Sequence, residues 1–451
     1  MSILSSKKIY FTLGIAAVSM IGVANFYSYI HSKNQQQTQQ NQPTQNLSFT
    51  QPNNSPLSEL NISSTSILAN TTGETFQNSL IAHSTSDNTT NKQDISSFEN
   101  SLALASKSYP VIDEWKKYKF SINGNQILTP TQLPTTKVNF NQADLLTVLQ
   151  NTRKYFQTYS SEDPDIQRTG LLTTQGVTVP DILKTLDFMI TVLQEDIAQN
   201  RATRLQDPKF INTHFRVIKW NAYNPKIKSQ KQLRITKYAV FIHPGSRTKT
   251  STYNIPIYSL KGNSTPDKFY TRYTKQDVLS GIYEPGGREF GKVEPLAYLT
   301  RNGLEEALMQ GTILINFTDG SKAFFNVDRN NGMSYIRGLK ATAQKRYWYF
   351  RKVDAIKGYG YKIDAKISIK PGVTFAGDVL NIGLGKVIII EHTQGGRKYL
   401  RMGVIADTGG AFLPNLYQLD FLAGIFPNQK AFGQYISQLP EYATAYFLVK
   451  K

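Results

Sequence analysis

Hydrophobic spacing changes character once along this chain. Between residues 143 and 197 apolar side chains recur every three or four positions, and from Phe215 to the end they gather in short runs. The first pattern predicts a helix over 143–160 with Leu145, Leu149 and Phe156 on one face. A second helix opens at Pro180, with Ile182, Leu186, Met189, Ile190, Leu193 and Ile197 as its stripe. Both stripes read as core. The second pattern predicts strands over 238–243, 253–260, 312–317, 322–327, 347–352, 366–369, 386–392 and 402–406, separated by Gly, Pro and Asn. Helices followed by many strands give an α+β fold, mainly β.

The first hundred residues show neither pattern. Lys7 and Lys8 precede an uncharged run of 22 residues, Ile9 to Ile30, long enough to span a bilayer with the N-terminus held inside. Residues 1–30 therefore read as a membrane anchor, or as a signal peptide cleaved after Gly22-Val23-Ala24; either exports the rest of the chain. Residues 31–100 are rich in Gln, Asn, Ser and Thr and poor in large apolar groups. Such a segment cannot bury enough surface to offset ordering its backbone, so it reads as a disordered tether with a reach on the order of 45 Å.

Charge and composition narrow the chemistry. The net charge is +19, and since residues 1–100 sum to −1, the remainder carries +20. That favours a polyanionic partner such as nucleic acid, an anionic membrane or a carboxylate-bearing wall polymer. The absence of cysteine excludes disulfides, thiolate metal sites and a Cys nucleophile, and the five histidines have no metal-ligand spacing. No cofactor or metal is implied.

Candidate chemistry concentrates near the C-terminus. The run Val404-Ile405-Ala406 ends on Asp407 before a Gly-Gly turn, and Asp420 lies thirteen residues on inside Leu419-Asp-Phe-Leu422. A carboxylate at the end of a buried strand is costly unless hydrogen-bonded or used. The plainer alternative makes Asp407 a turn cap and Asp420 a solvated acid. Asp407-Thr408-Gly409 also matches the aspartic-protease triplet, which occurs once here and would need a homodimer. Gly383-Leu-Gly-Lys386 lacks phosphate-loop spacing and reads as a turn, as does Asp319-Gly320 between two strands. Lys345-Arg-Tyr-Trp-Tyr-Phe-Arg351 could stack bases, but in an exported chain it reads as a strand with core or sugar-stacking aromatics.

Several segments, in order, resemble the membrane-bound lytic murein transglycosylase A family with its C-terminal three-aspartate domain. The aspartates match as Asp378 in Phe375-Ala-Gly-Asp-Val-Leu-Asn, Asp407 in Ala406-Asp-Thr-Gly-Gly-Ala, and Asp420 in Leu419-Asp-Phe. Upstream, Thr236-Lys-Tyr-Ala-Val-Phe-Ile-His-Pro-Gly-Ser-Arg247, Ile255-Pro-Ile-Tyr258, Gln310-Gly-Thr…Asp319-Gly320 and Asn331-Gly-Met-Ser-Tyr335 are similar to family segments. The chain departs from the pattern where Val240 replaces a Glu, Lys237 a Gly, and Gly424-Ile-Phe426 a Gly-x-Gly.

The resemblance implies a double-psi β-barrel from residues 101–235 and 345–451, with residues 236–344 as an inserted smaller β-domain. It implies cleavage of the MurNAc-β-1,4-GlcNAc bond of peptidoglycan with formation of a 1,6-anhydro sugar. Asp420 would be the catalytic acid, then base, Asp407 its neighbour, and Asp378 a structural acid. Tyr238, Gln310, Gly311, Thr312, Asn331 and Tyr335 would line the glycan site. The implied partners are glycan strands and, through residues 1–30, the inner membrane; nucleic acid is not a partner, and a periplasmic monomer is expected. A non-catalytic peptidoglycan-binding module, or a homodimeric protease using Asp407, are the alternatives.

Overall fold

A computed structural model describes residues 108–113, 121–262, 268–336, 338–409, 412 and 414–451. The expected anchor (1–30) and tether (31–100) lie outside them. Among the described residues no helix is long and apolar enough to cross a membrane.

The two expected helices form, and their caps explain where they start. Asn141 accepts from the Asp144 amide at the head of Gln142–Tyr159, which buries Leu145, Val148, Leu149, Thr152, Tyr155 and Phe156 along one face. Thr178 and Asp181 form a reciprocal capping box at the head of Val179–Ala198. The second stripe drifts at its end. Ile197 is exposed, and Asp196 takes the buried position, paired with Arg201 and Arg204.

The strands are β1 (Ser108–Pro110), β2 (Ser121–Asn123), β3 (Leu128–Thr131), β4 (Val138–Asn139), β5 (Phe215–Trp220), β6 (Leu233–Gly245), β7 (Ile255–Leu260) and β8 (Val293–Leu299). They continue as β9 (Thr312–Phe317), β10 (Lys322–Asn330), β11 (Trp348–Val353), β12 (Thr374–Ala376), β13 (Val387–Gln394), β14 (Arg397–Asp407), β15 (Gln418–Phe426) and β16 (Tyr442–Lys450). One large sheet runs β11-β10-β9-β6-β15-β12-β14-β13-β16-β5-β3. A further pairing of β16 with β6, through Tyr442↔Arg234 and Ala443↔Leu233, joins six of these strands into a closed ring. Within it β15 runs parallel to β6, and β12 parallel to β14. The fold is mixed, mainly β, with several helices.

Two hydrophobic cores result. The first gathers the two long helices, the ring strands and β5 around residues such as Leu186, Val404, Leu419 and Phe447. The second lies between β7, β8, β9, β10 and β11, around Leu299, Ile313, Tyr347 and Phe350. It extends further than the sequence divides it. Because β11 pairs with β10, Tyr347 to Phe350 belong to this second core and not to the ring. Those aromatics are buried side chains and not a stacking surface. Strand β6 serves both cores: its first nine residues lie in the ring, and Ile242 to Gly245 pair with β9.

The segment 366–369 is not a strand. It folds back on 356–362 through the Lys357↔Ser368 and Lys362↔Ala365 bridges, and the Tyr359 amide donates to the Ala406 carbonyl. Gly360 permits this fold-back, since a Cβ there would sit 2.0 Å from the Ala365 carbonyl oxygen. Asp319-Gly320 turns β9 into β10 with Gly320 at φ 80°.

Candidate active site

Asp407 closes β14 after three fully buried apolar residues, so the strand delivers its carboxylate to the ring's end already desolvated. The Thr408 amide donates to its Oδ1 at 2.8 Å and the Tyr238 phenol to its Oδ2 at 2.7 Å. Asp420 lies within β15, equally buried. Gln418 Nε2 donates to its Oδ1 at 3.2 Å, and is itself 3.0 Å from Thr236 Oγ1. The other oxygen of Asp420 takes no hydrogen bond from the described residues. The short strand β12 sets the two acids level with each other. Ala376 is the register partner of Asp407 on one side and of Asp420 on the other. The two backbones therefore stand two strand spacings apart, roughly 9–10 Å.

Burial shifts both acids. It pushes Asp420 up to about 7, helped by the negative charge of Asp407 and opposed by the Gln418 amide, Arg234 and Lys237. It pushes Asp407 up to about 6, against the Tyr238 hydroxyl, the Thr408 amide and the charge of Lys366. One site thus holds two carboxylates that burial draws above the usual carboxylate range. Neither is a solvated surface acid.

Both acids line a cavity of about 60 Å³ at the seam between the two cores. The ring contributes Tyr238, Ala376, Asp407, Thr408 and Asp420; the second core contributes Gln310, Gly311, Thr312 and Asn326. Gln310 is committed inward. Its Oε1 accepts from the Phe241 amide at 2.9 Å, and its Nε2 approaches His243 Nε2 at 2.9 Å and the Glu306 carbonyl at 3.2 Å. His243 is kept neutral, burial pulling it down to about 4.

The chain matches no protein-family model and no curated protein sequence. It is similar in structure to solved lytic murein transglycosylases. The crystal structure of E. coli MltA with bound chitohexaose shares 17% identity over 75% of this chain and 97% of that one, with a TM-score of 0.48. The membrane-bound lytic murein transglycosylase from Agrobacterium tumefaciens shares 16% over 72% and 98%, with a TM-score of 0.47. MltA from Neisseria gonorrhoeae shares 14% over 76% and 97%, also at 0.47. These carry the family name that the sequence motifs resemble.

Not every residue singled out in the sequence reaches the cavity. Asp407, Asp420, Tyr238, Gln310, Gly311 and Thr312 do; Asn331, Tyr335 and Asp378 do not line it. Asn331 is a buried staple of the second core. Its Nδ2 donates to the Tyr273 and Lys345 carbonyls at 2.8 and 3.0 Å, and its Oδ1 accepts from the Tyr347 amide at 3.0 Å. Tyr335 lies over the Arg346 guanidinium. Asp378 caps the turn Val379–Ile382, taking the Asn381 amide and side chain and the Asn415 amide at 2.8–3.0 Å.

Asn326, a cavity residue, and Lys366, bonded to it, carry no motif in the sequence. Asn326 Nδ2 donates to Gly311 O and Thr312 Oγ1, both at 2.8 Å, and its Oδ1 accepts from Lys366 Nζ. A lone Asn inside Phe324-Phe325-Asn326-Val327 was a usable signal. Among the described residues no group of three or more His, Asp or Glu is arranged to hold a metal ion.

Proposed function

We propose that this chain is a lytic transglycosylase of peptidoglycan, with Asp420 as the single proton-transfer group. The observation that carries this reading is a buried Asp420 carboxyl, one of whose oxygens takes no hydrogen bond from the described residues, lining a cavity beside a second buried acid. A carboxylic acid still protonated near neutral pH can donate to the glycosidic oxygen as the muramyl C1–O bond breaks. The resulting Asp420 carboxylate then accepts the proton of the muramyl C6 hydroxyl, whose oxygen bonds to C1. Proton count and charge are restored, and no water is consumed. The intramolecular nucleophile replaces the second reactive carboxylate of hydrolysing glycosidases. Asp407, as a carboxylate held by the Tyr238 phenol and the Thr408 amide, supplies negative charge toward the cation-like C1.

The motif order supports the same reading, and the closed six-strand ring with its two parallel pairs supports a double-psi barrel within it. The +20 charge beyond residue 100 suits a carboxylate-rich glycan, and the apolar run of residues 9–30 suits a periplasmic enzyme tied to the inner membrane.

Incubating the full chain with purified sacculi and analysing the soluble products by mass spectrometry tests the proposal. Products ending in 1,6-anhydroMurNAc are expected. Sacculus binding with no soluble product would leave a binding module, and reducing-end hydrolysis products would replace lyase by hydrolase chemistry.

A further inference from the structure

The closed ring carries a second polar cluster, on the face of its strands turned away from the cavity. Lys237 on β6 and Phe421 on β15 are register partners, and they alternate with Tyr238 and Asp420, which line the cavity. Successive strand residues point to opposite faces, so Lys237 and Phe421 look into the ring. Arg401 on β14 meets them there. Its guanidinium lies 4.9 Å from the centre of the Phe421 ring, although β12 separates the two strands. Six strands spaced about 4.8 Å apart enclose a bore narrow enough for such a contact across it. His392 on β13 is the register partner of Tyr399 and stacks on that ring at 5.3 Å. It shares a face with Arg401, two residues beyond Tyr399 on the same strand. Lys237 closes the circle, its Nζ donating to the Pro440 carbonyl just before β16.

Three basic side chains from three strands thus surround one mouth of the ring without an acidic partner. Among the described residues Lys237, Arg401 and His392 make no ion pair, and the Arg401 guanidinium gives no hydrogen bond. Nδ1 of His392 is buried with no partner. Burial, then the charges of Arg401 and Lys237, pull the His392 imidazole below its ordinary range. Around Lys237, Glu441 and Asp420 favour its charge and Arg234 opposes it. Glu391, beside His392 in sequence, is taken by Lys398 and the Tyr446 hydroxyl. An oxyanion among the three would use the idle donors and relieve the crowding of like charge. Arginine offers a planar fork that fits a carboxylate, lysine a point charge and imidazole a further donor. Tyr399, 39% exposed, keeps the mouth in reach of solvent. Lys237 is also a position where the sequence departs from the family segments it resembles, so the cluster is a feature of this chain.

We propose that Lys237, Arg401 and His392 form an oxyanion site at the mouth of the ring, and that its ligand is a carboxylate of a peptide stem on the wall polymer. The choice of ligand rests on the peptidoglycan reading; the site itself does not. Lys237 and Phe421 back onto Tyr238 and Asp420 across the same two strands. A stem held at the mouth therefore lies on the far side of β6 and β15 from a glycan in the cavity. The site grips a stem remote from the bond being cleaved, and so acts on affinity for the sacculus and not on the chemical step.

The test uses the full chain labelled with carbon-13 at the Cε1 of its five histidines, with His392→Gln assigning the His392 signal. The probes are a synthetic stem tetrapeptide with free carboxylates, the same peptide with its carboxylates amidated, and inorganic phosphate. The free tetrapeptide should shift the His392 signal saturably and raise its titration midpoint by about one pH unit, because an adjacent anion favours the imidazolium. The amidated peptide should do neither. Lys237→Met and Arg401→Met should each weaken tetrapeptide binding about tenfold. Each should also raise KM for peptide-bearing sacculi and leave kcat unchanged. No His392 response to the tetrapeptide, or an equal response to its amidated form, overturns the proposal. A response to phosphate with none to the tetrapeptide overturns it as well. Tetrapeptide binding by a wild-type protein that releases no anhydro product keeps the site and removes the transglycosylase reading.

Discussion

The Tyr238 phenol donates to Asp407 Oδ2 at 2.7 Å, tying β6 to the end of β14, two strands that share no ladder of their own. Tyr238→Phe removes that bond and keeps the aromatic ring. A hydrogen bond to a charged group contributes about 1.5–3 kcal/mol, so the ionised form of Asp407 loses support of that order. The acid limb of the pH–rate profile should therefore move to higher pH. Sacculus digestion measured from pH 5 to 8 checks this, and an unmoved limb would show that Asp407 ionisation is not what the reaction senses.

Asp420→Asn should stop release of anhydro-muropeptides while leaving sacculus binding in place. General acid–base catalysis contributes roughly 10²–10⁴-fold, and in the proposed mechanism the same group serves both halves of the reaction. Asp407→Asn should cost less, because the proposal gives it an electrostatic part only. Stability should move the other way. The folded pKa of Asp420 is raised, so its contribution is fully present below about 3.8 and is lost as pH rises through about 7. Asp420→Asn should thus raise the melting temperature above pH 7 and leave it unchanged at pH 3, as read by calorimetry.

Asn331→Ala should damage the second core and not glycan affinity. Its amide bonds four backbone groups, the Tyr273 and Lys345 carbonyls and the Met333 and Tyr347 amides. Each buried group left unpaired costs about 1–3 kcal/mol. Denaturant unfolding should show the loss, while binding at a temperature where the variant is folded should match wild type.

Lys386 is buried, its one hydrogen bond among the described residues runs from Nζ to the Leu384 carbonyl at 3.3 Å, and burial pulls it down to about 7. The folded state then binds fewer protons than the unfolded state between about 7 and 10.5. Its penalty is absent above that range and grows until the pH falls through 7. Lys386→Met should therefore stabilise the protein most in mildly acidic buffer and little at pH 10. Thermal melts across that range test the sign.

Much of the architecture was legible in the order of residues, for identifiable reasons. The run Val404-Ile405-Ala406-Asp407 and the acid inside Leu419-Asp-Phe-Leu422 were visible because apolar flanks announce burial. Both lie in the cavity. Asn331 stands outside that cavity, and a polar residue in a matched motif looks the same in sequence whether it faces sugar or backbone. Only the tertiary approach of Tyr273 and Tyr347 decides. Lys366 was invisible for a related reason. In Lys366-Ile-Ser-Ile369 it alternates like a surface lysine, and its environment comes from Asn326, forty residues away. The β8 strand and the closing strand β16 were also missed; Val293–Leu299 contains a proline, and the alternation in Tyr442–Lys450 gives way to a continuous buried run.

The ring is sewn shut by its last strand. β16 joins β13, β5 and β6, and its longest pairing, Lys450 with Phe215, spans 235 residues of chain. Asp420 likewise reaches its place only when β15 docks on β6, whose residues precede it by more than one hundred and eighty positions. Contacts of such separation form late, after loop-closure entropy has been overcome. A chain emerging from its N-terminus therefore carries Tyr238 and the Gln310–Thr312 wall long before it carries either acid in position. The cavity wall of Tyr238 and Gln310 to Thr312 is therefore laid down well before β15 docks on β6 and carries Asp420 into place beside it.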